Sequence, residues 1–474
     1  MRYTDKYEAV IGIEVHARLA TRSKIFCSCQ VSFGAIPNTK VCPVCMGLPG
    51  VLPTLNREAV RLATVAGLAT NCSIADEVRF DRKNYFYPDL PKAYQITQNE
   101  NPLCRDGYLD VCVDGAVRRI GIQRIHLEED AGKLTHSEGR GTLVDYNRCG
   151  VPLIEIVSRP DIRSADEAKA YLTELRSVLL YAGVSDCKMN EGSFRCDVNL
   201  SVRRRGDAEL GVRTEMKNIN SFAFVAKAIE YEFERQAEAI ERGETVLSET
   251  RRFDAADGKT YAMRGKETAA DYRFFSEPDI APFKLSREVV ERERRSLPPL
   301  PADIRRLYTE EYGLEKADVE IIVSRPQMAA YFGQAVRCCK YPKTVANIMI
   351  SRLLTDSHAD EFVTPITPEQ LGELAELYAE GRINSSTVKT LLDFLTDSAL
   401  APSEIAEREE LWQINDKDVL EGILTDVKNK FPKLISDYKN GKLAAKKAII
   451  GKVMAATGGR ANPVAVNEIF DLTV

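Results

Sequence analysis

Four cysteines, Cys27-x-Cys29 and, after twelve residues, Cys42-Pro43-Val44-Cys45, form two short chelating pairs joined by a loop. Four thiolates so placed suit a tetrahedral zinc, and with no position left for water such a site is structural. The other cysteines, including adjacent Cys338 and Cys339, read as small, mostly buried side chains. A second set of reactive groups lies in strand-like runs. In "YEAVIGIEVHARL", Glu14 and His16 project to one side and Ile13 and Val15 to the other. "RCDVNLSVR" repeats the pattern, with Arg195, Asp197, Asn199, Ser201 and Arg203 on one face. "GVRTEMKNI" does so again with Arg213, Glu215 and Lys217. "PLIEIVS" adds Glu155, and "RIHLEEDAGK" brings Glu128, Glu129 and Asp130 around His126.

Alternation alone needs only an antiparallel sheet with one wet face. A merely solvated face is usually rich in Lys, Thr and Gln. Here acids, basic residues and Asn recur, as expected where carboxylates hold a divalent cation and Arg or Lys meet phosphates. The pattern predicts a cradle for magnesium and a nucleotide. The chain has no GxxxxGK[ST], GxGxxG or HExxH, which disfavours a P-loop, a dinucleotide fold and a zincin, so a nucleotide must lie on the sheet.

At 474 residues the chain is too long for one core. To about residue 290, β-rich runs alternate with two helices, the mark of an α+β domain. One helix starts at Ser164, with a capping box to Glu167, and ends at Gly183; the other runs from Ser221 to Gly243 with Phe222, Val225, Ile229 and Phe233 in a stripe. "SLPPLPADIRR" is a stiff connection, after which helical periodicity dominates, with a strong start at Thr367-Pro368-Glu369-Gln370 and a second break near Pro402. Three units are expected: 1–292, 293–404 and 405–474. No apolar run is long enough to cross a bilayer, and "MRYTDKYEAV" lacks signal-peptide character, so a cytoplasmic location with reduced thiols is expected. The net charge is −5, yet Lys428 to Arg460 holds nine basic residues against Asp437 alone. Lys439, Lys442, Lys446, Lys447 and Lys452 crowd that stretch, the kind of asymmetry that marks a polyanion-binding segment.

Longer motifs sharpen the reading: "VIGIEVHARL", "CPVCMGLPGVLPTLN", "FDRKNYFYPDLPKAYQITQ", "HLEEDAGK", "DYNRCGVPLIEIVS", "RCDVNLSVR" and "RTEMKNINSF". Together they resemble the B subunits of the GatCAB tRNA-dependent amidotransferases, and "NGKLAAKKAIIGKVMAATGGRANP" is similar to that family's YqeY-like tail. The resemblance implies a glutamine synthetase-like cradle, a helical domain and a tRNA-binding tail domain. It also implies ATP-dependent conversion of Glu-tRNA(Gln) or Asp-tRNA(Asn) to the amide, with ammonia from the GatA amidase partner and GatC as third subunit. By motif carry-over Glu14, His16, Glu129 and Glu155 are expected to ligate Mg2+, although alternation leaves Glu128 and Glu129 open. Arg195, Asp197, Asn199, Arg213, Glu215 and Lys217 would face ATP, Zn2+ would sit on the four cysteines, and the five tail lysines would meet tRNA. No amidase-type Ser-Ser segment or Cys-His pairing is found, so the nitrogen donor lies elsewhere. The reading from another class is a zinc-stapled, non-catalytic RNA-binding scaffold, and ATP turnover separates the two.

Overall fold

A computed structural model describes residues 3–473 apart from 138, 140, 264–270 and 355–361. Nine strands build the main sheet: β1 (Tyr7–Arg18), β2 (Ser73–Ile74), β3 (Cys104–Val113), β4 (Ala116–Glu129), β5 (Pro152–Ser158), β6 (Phe194–Arg204), β7 (Thr214–Ile219), β8 (Thr250–Asp254) and β9 (Lys259–Ala262). Their order is β9-β8-β7-β6-β1-β5-β4-β3-β2. Neighbours run antiparallel except β7 and β8. Long β1 lies between β5 and β6, so both partners take their register from it. His16 faces Glu155 on one side and Arg195 on the other, Glu14 faces Asp197, and Glu155 faces His126 of β4.

The opposite face is apolar. Ile13, Val15, Ile125, Leu127, Ile154, Ile156, Val198 and Leu200 are fully buried in one core with helices α1 (Arg57–Ala69), α2 (Ala165–Tyr181) and α3 (Phe222–Glu241). The caps follow the sequence expectation in part. Ser164 and Ser221 accept from the Glu167 and Phe224 amides, and Gly183 and Gly243 follow the helices at φ +65° and +74°. The box at Ser164 is not closed, because the Glu167 carboxylate accepts instead from the Arg163 amide, one residue earlier.

The chain divides into two compact units, residues 1–301 and 302–474. The second unit keeps both helical groups together. Its Thr367 box is complete, with Gln370 bonding back to the Thr367 amide. Within it, helices α4 (Lys417–Lys430), α5 (Leu443–Ala456) and α6 (Pro463–Thr473) close on their own core of Leu420, Leu424, Ile449, Val453 and Phe470.

Gly67 shows how tightly α1 meets the sheet. A Cβ there would lie 2.4 Å from Cys104 Sγ and 2.8 Å from Ile74 Cδ1. Gly→Ala inside a helix normally gains about 1 kcal/mol, but overpacking costs about 1–3 kcal/mol. Gly67→Ala is therefore expected to lower the melting temperature, and Gly67→Ala/Cys104→Ala to recover part of the loss. Thermal melts of both chains check this.

Candidate active site

The polar face of the sheet gathers its groups around His16. His16 Nε2 lies 3.3 Å from Glu155 Oε2 and 3.4 Å from Glu128 Oε1, while His126 Nε2 stands 3.6 Å from both carboxylates. One ligand atom each from His16, Glu128 and Glu155 falls within 4.8 Å of the others. Burial opposes charge on His16, but the hydrogen bond to Glu155 and the nearby Glu128 outweigh it and raise its pKa to about 9. Burial also opposes ionisation of Glu155, yet His16 and His126 draw its pKa down to about 2.

The structure places Glu128, rather than the Glu129 expected from the motif, in this cluster. Glu129 shares strand parity with Ile125 and Leu127, so its carboxylate lies on the other side of the sheet. There it accepts from Lys92 Nζ at 2.6 Å and from the Ile96 amide at 2.9 Å. The alternation of Arg124, His126 and Glu128 against Ile125 and Leu127 along β4 carries this choice, and the pairing of Glu155 with His126 brings that face to the cluster.

Glu14 also stands apart from the cluster expected for it. It joins Asp197 and Glu215 in a second acidic group whose ligand atoms lie within 4.8 Å. Burial and the charge of Glu155 raise its pKa, partly offset by the Asn199 amide, which donates to it at 2.9 Å. Lys217 Nζ lies 2.7 Å from Asp197 and 3.0 Å from Glu215, so this group already has a cation.

Around the first cluster the basic side chains have unused capacity. Among the described residues, Arg124 Nε, His126 Nδ1 and Arg195 Nε are buried without hydrogen-bond partners, although Arg195 Nη2 reaches Asp130 at 3.1 Å. Buried donors without partners are rare and call for an absent ligand or water. A cavity of about 250 Å3 beside the cluster is lined by Lys83, Arg124, His126, Glu128 and Glu155. A larger one, about 680 Å3, is lined by Arg18, Phe33, Lys133, Arg148, Arg195 and Asp197. Arg213 lies beside a third, about 240 Å3, with Glu14 and Asn199. Sequence reasoning missed Lys83 and Arg124 as site residues. For Arg124 the signal was present, since Arg124, His126 and Glu128 alternate along β4. Lys83 lies on the strand Asp81–Asn84, outside the main sheet, and gave none.

The four cysteines meet as their spacing predicts. Their sulfurs all fall within 4.8 Å of one another, and those of Cys42 and Cys45 are 3.9 Å apart, near the edge of about 3.8 Å that zinc–sulfur bonds of about 2.3 Å would set in a tetrahedron. None forms a disulfide. The Cys45 thiol is drawn down to about 4 by the hydrogen bond from Cys27 and, less strongly, by Lys24. The Cys42 amide also donates to Cys45 Sγ, at 3.2 Å. The donor set and its geometry fit zinc.

In the tail, Lys439, Lys442, Lys447 and Lys452 are exposed. Lys446 is not free: it is half-buried, bonded to Asp471 and set over the Phe470 ring. Lys442 pairs with Asp437 at 3.0 Å. No described helix is long and apolar enough to cross a membrane.

Residues 9–291 match the GatB/GatE catalytic domain and residues 330–472 the GatB domain. The B subunit of the aspartyl/glutamyl-tRNA(Asn/Gln) amidotransferase of Thermoanaerobacter pseudethanolicus is 51% identical over 468 residues, 98% of either chain. The proteins of the same name from Caldicellulosiruptor saccharolyticus and Geotalea uraniireducens are 50% and 49% identical over 473 and 472 residues, again 98% of each chain. The chain belongs to the GatB/GatE family, among relatives named as B subunits of aspartyl/glutamyl-tRNA(Asn/Gln) amidotransferase.

Proposed function

We propose that this chain converts the side-chain carboxylate of Glu-tRNA(Gln) or Asp-tRNA(Asn) to the amide, as the kinase and transamidase subunit of a complex with a GatA amidase and GatC. The observation that carries the reading is one sheet face where a histidine–carboxylate cluster adjoins buried Arg nitrogens that have no partner. A free carboxylate is a poor acceptor of ammonia. In the first step its oxygen bonds to the γ-phosphorus of ATP as the bond to ADP breaks. Ammonia then attacks the acyl carbon, phosphate leaves, and a proton is lost from nitrogen. Phosphoryl transfer is chiefly positioning and charge neutralisation, which suits such a face.

His16, Glu128 and Glu155 would hold Mg2+. When bound, the ion would neutralise charge on the transferring phosphoryl group. Lys83 and Arg124 would take the triphosphate in the smaller cavity. Arg195 and its neighbours would receive the aminoacylated tRNA end in the larger one, close to the same cluster. Lys217 would order Asp197 and Glu215 beside Glu14. Zinc on Cys27, Cys29, Cys42 and Cys45 would be structural, and the tail from residue 405 would grip the tRNA backbone.

The deciding experiment mixes this chain with its partner subunits, ATP, glutamine and each mischarged tRNA, and assays the amidated product; absence of both products would overturn the assignment. Glu155→Gln is expected to abolish tRNA-dependent ATP cleavage while the partner's glutaminase survives. Mn2+ binding to the chain should compete with the proton on His16. Because that pKa is about 9 without metal, affinity should climb about tenfold per pH unit from pH ~7 and level off near pH ~9. His16→Asn should flatten the profile, as calorimetry or Mn2+ EPR can show.

The tail makes a separate expectation. Lys446 is tied to Asp471, so exposed Lys439 and Lys447 are the informative pair. Their replacement by Ala should raise KM for mischarged tRNA and reduce the log–log salt slope by about one to two. KM measured against salt checks it, and an unchanged slope would place recognition elsewhere.

A further inference from the structure

Lys24 is 0% exposed, an unusual place for an ammonium. A buried charge is costly unless it is paired and hydrogen-bonded. The Lys24 ammonium has two hydrogen-bond acceptors, Cys45 Sγ at 3.4 Å and the Tyr146 carbonyl at 3.4 Å, and neither is a carboxylate. Its backbone belongs to the same loop, since the Lys24 amide donates to the Cys29 carbonyl at 2.9 Å. The side chain runs past Gly150, where a Cβ would come 3.6 Å from Lys24 Cδ and 3.7 Å from Cys45 Cβ. The position lies between the cysteine loop and the turn before β5, shielded from solvent.

We propose that Lys24 is the built-in counter-charge of the four-cysteine metal site, held inside the protein to stabilise a metal tetrathiolate through its hydrogen bond to Cys45. Zinc bound by four thiolates carries two net negative charges. In a protein interior that excess needs a cation or several N–H donors, and Lys24 supplies the cation while the Cys42 amide supplies a donor to the same sulfur. The dependence runs both ways: without the thiolates, the Lys24 ammonium loses its sulfur acceptor and keeps only the Tyr146 carbonyl as a hydrogen-bond partner. This rests on the zinc reading and goes beyond it by assigning a residue outside the four ligands. The competing role, in which the lysine stem only fills space, requires no charge.

The test uses Lys24→Met, which keeps an unbranched stem and removes the charge, in two full-length backgrounds: the native chain and one with Cys27, Cys29, Cys42 and Cys45 all changed to Ser. In the native background, zinc release to a chromogenic chelator should accelerate by about 10- to 100-fold, the range seen when groups supporting metal ligands are lost. In the serine background the sign should invert, with Lys24→Met raising the melting temperature or the yield of folded chain. Folding lost in the native background but restored in the serine background supports the same conclusion. Unchanged zinc release, or a loss of stability in both backgrounds, would overturn the role of Lys24 and leave zinc in place. Native chain purified without zinc or another tetrahedral metal would overturn the zinc reading together with it.

Discussion

The pairing of β1 with β5 on one side and β6 on the other is the constraint on which the site depends. Side chains in a strand change face at every residue, so a slip of one position would drive Glu14 and His16 into the apolar layer of α2 and α3. It would also expose Ile13 and Val15, which are completely buried. The hydrophobic side therefore enforces the register, and the register brings His16, Glu155 and Arg195 into line across three strands. Stability and chemistry are two faces of the same ladder.

That ladder concentrates like charges, and the structure treats its two acidic groups differently. Asp197 and Glu215, beside Glu14, are bridged by a permanent cation, Lys217, whose charge does not depend on what is bound. Among the described residues, the ion pairs of Glu128 and Glu155 are with the imidazoles of His16 and His126, while Lys83 and Arg124 line the adjoining cavity, so their closest neutralisation varies with protonation. A divalent cation can displace a proton from imidazole at a modest cost near neutral pH, whereas displacing a lysine ammonium held by two carboxylates means breaking two charge-assisted bonds. On the proposed reading, the exchangeable position is therefore the histidine cluster. The lysine-bridged group next to it is fixed, and its excess negative charge favours cations arriving on that face.

The sequence made the pattern within each strand legible, and the cysteine spacing with it, because both depend on residues close in the chain. The relations between strands were not legible. Glu14 and Glu155 both lie on the polar face, yet only the register shows that they stand in different clusters, with Glu155 paired to His126 and so beside Glu128. Lys83 comes from a strand outside the main sheet. Lys24 looked like any loop lysine, since nothing in its neighbours announces complete burial. Lys446 looked like one more exposed tail charge until the fold brought Asp471 and Phe470 to it from a helix twenty-five residues away.

Adjacent residues at the end of β4 connect these regions. Glu128 turns toward the histidine cluster and Glu129 toward Lys92, in a cavity of about 270 Å3 also lined by Cys27, Cys45 and Gly150. Asp130, the next residue, receives the Gly150 amide on its carbonyl at 3.0 Å and donates to the Val151 carbonyl at 2.9 Å, while Gly150 accepts from Ile25. Gly150 has φ +76°, and a Cβ there would touch Lys24, Cys45 and the Glu129 carboxylate at once. A Cβ at this position would meet its neighbours at ordinary contact distance, but the positive φ would strain any side chain there. The cysteine site is consequently more than a remote staple. It forms part of the wall against which β4 ends, and the aim of Glu128 depends on where that strand ends.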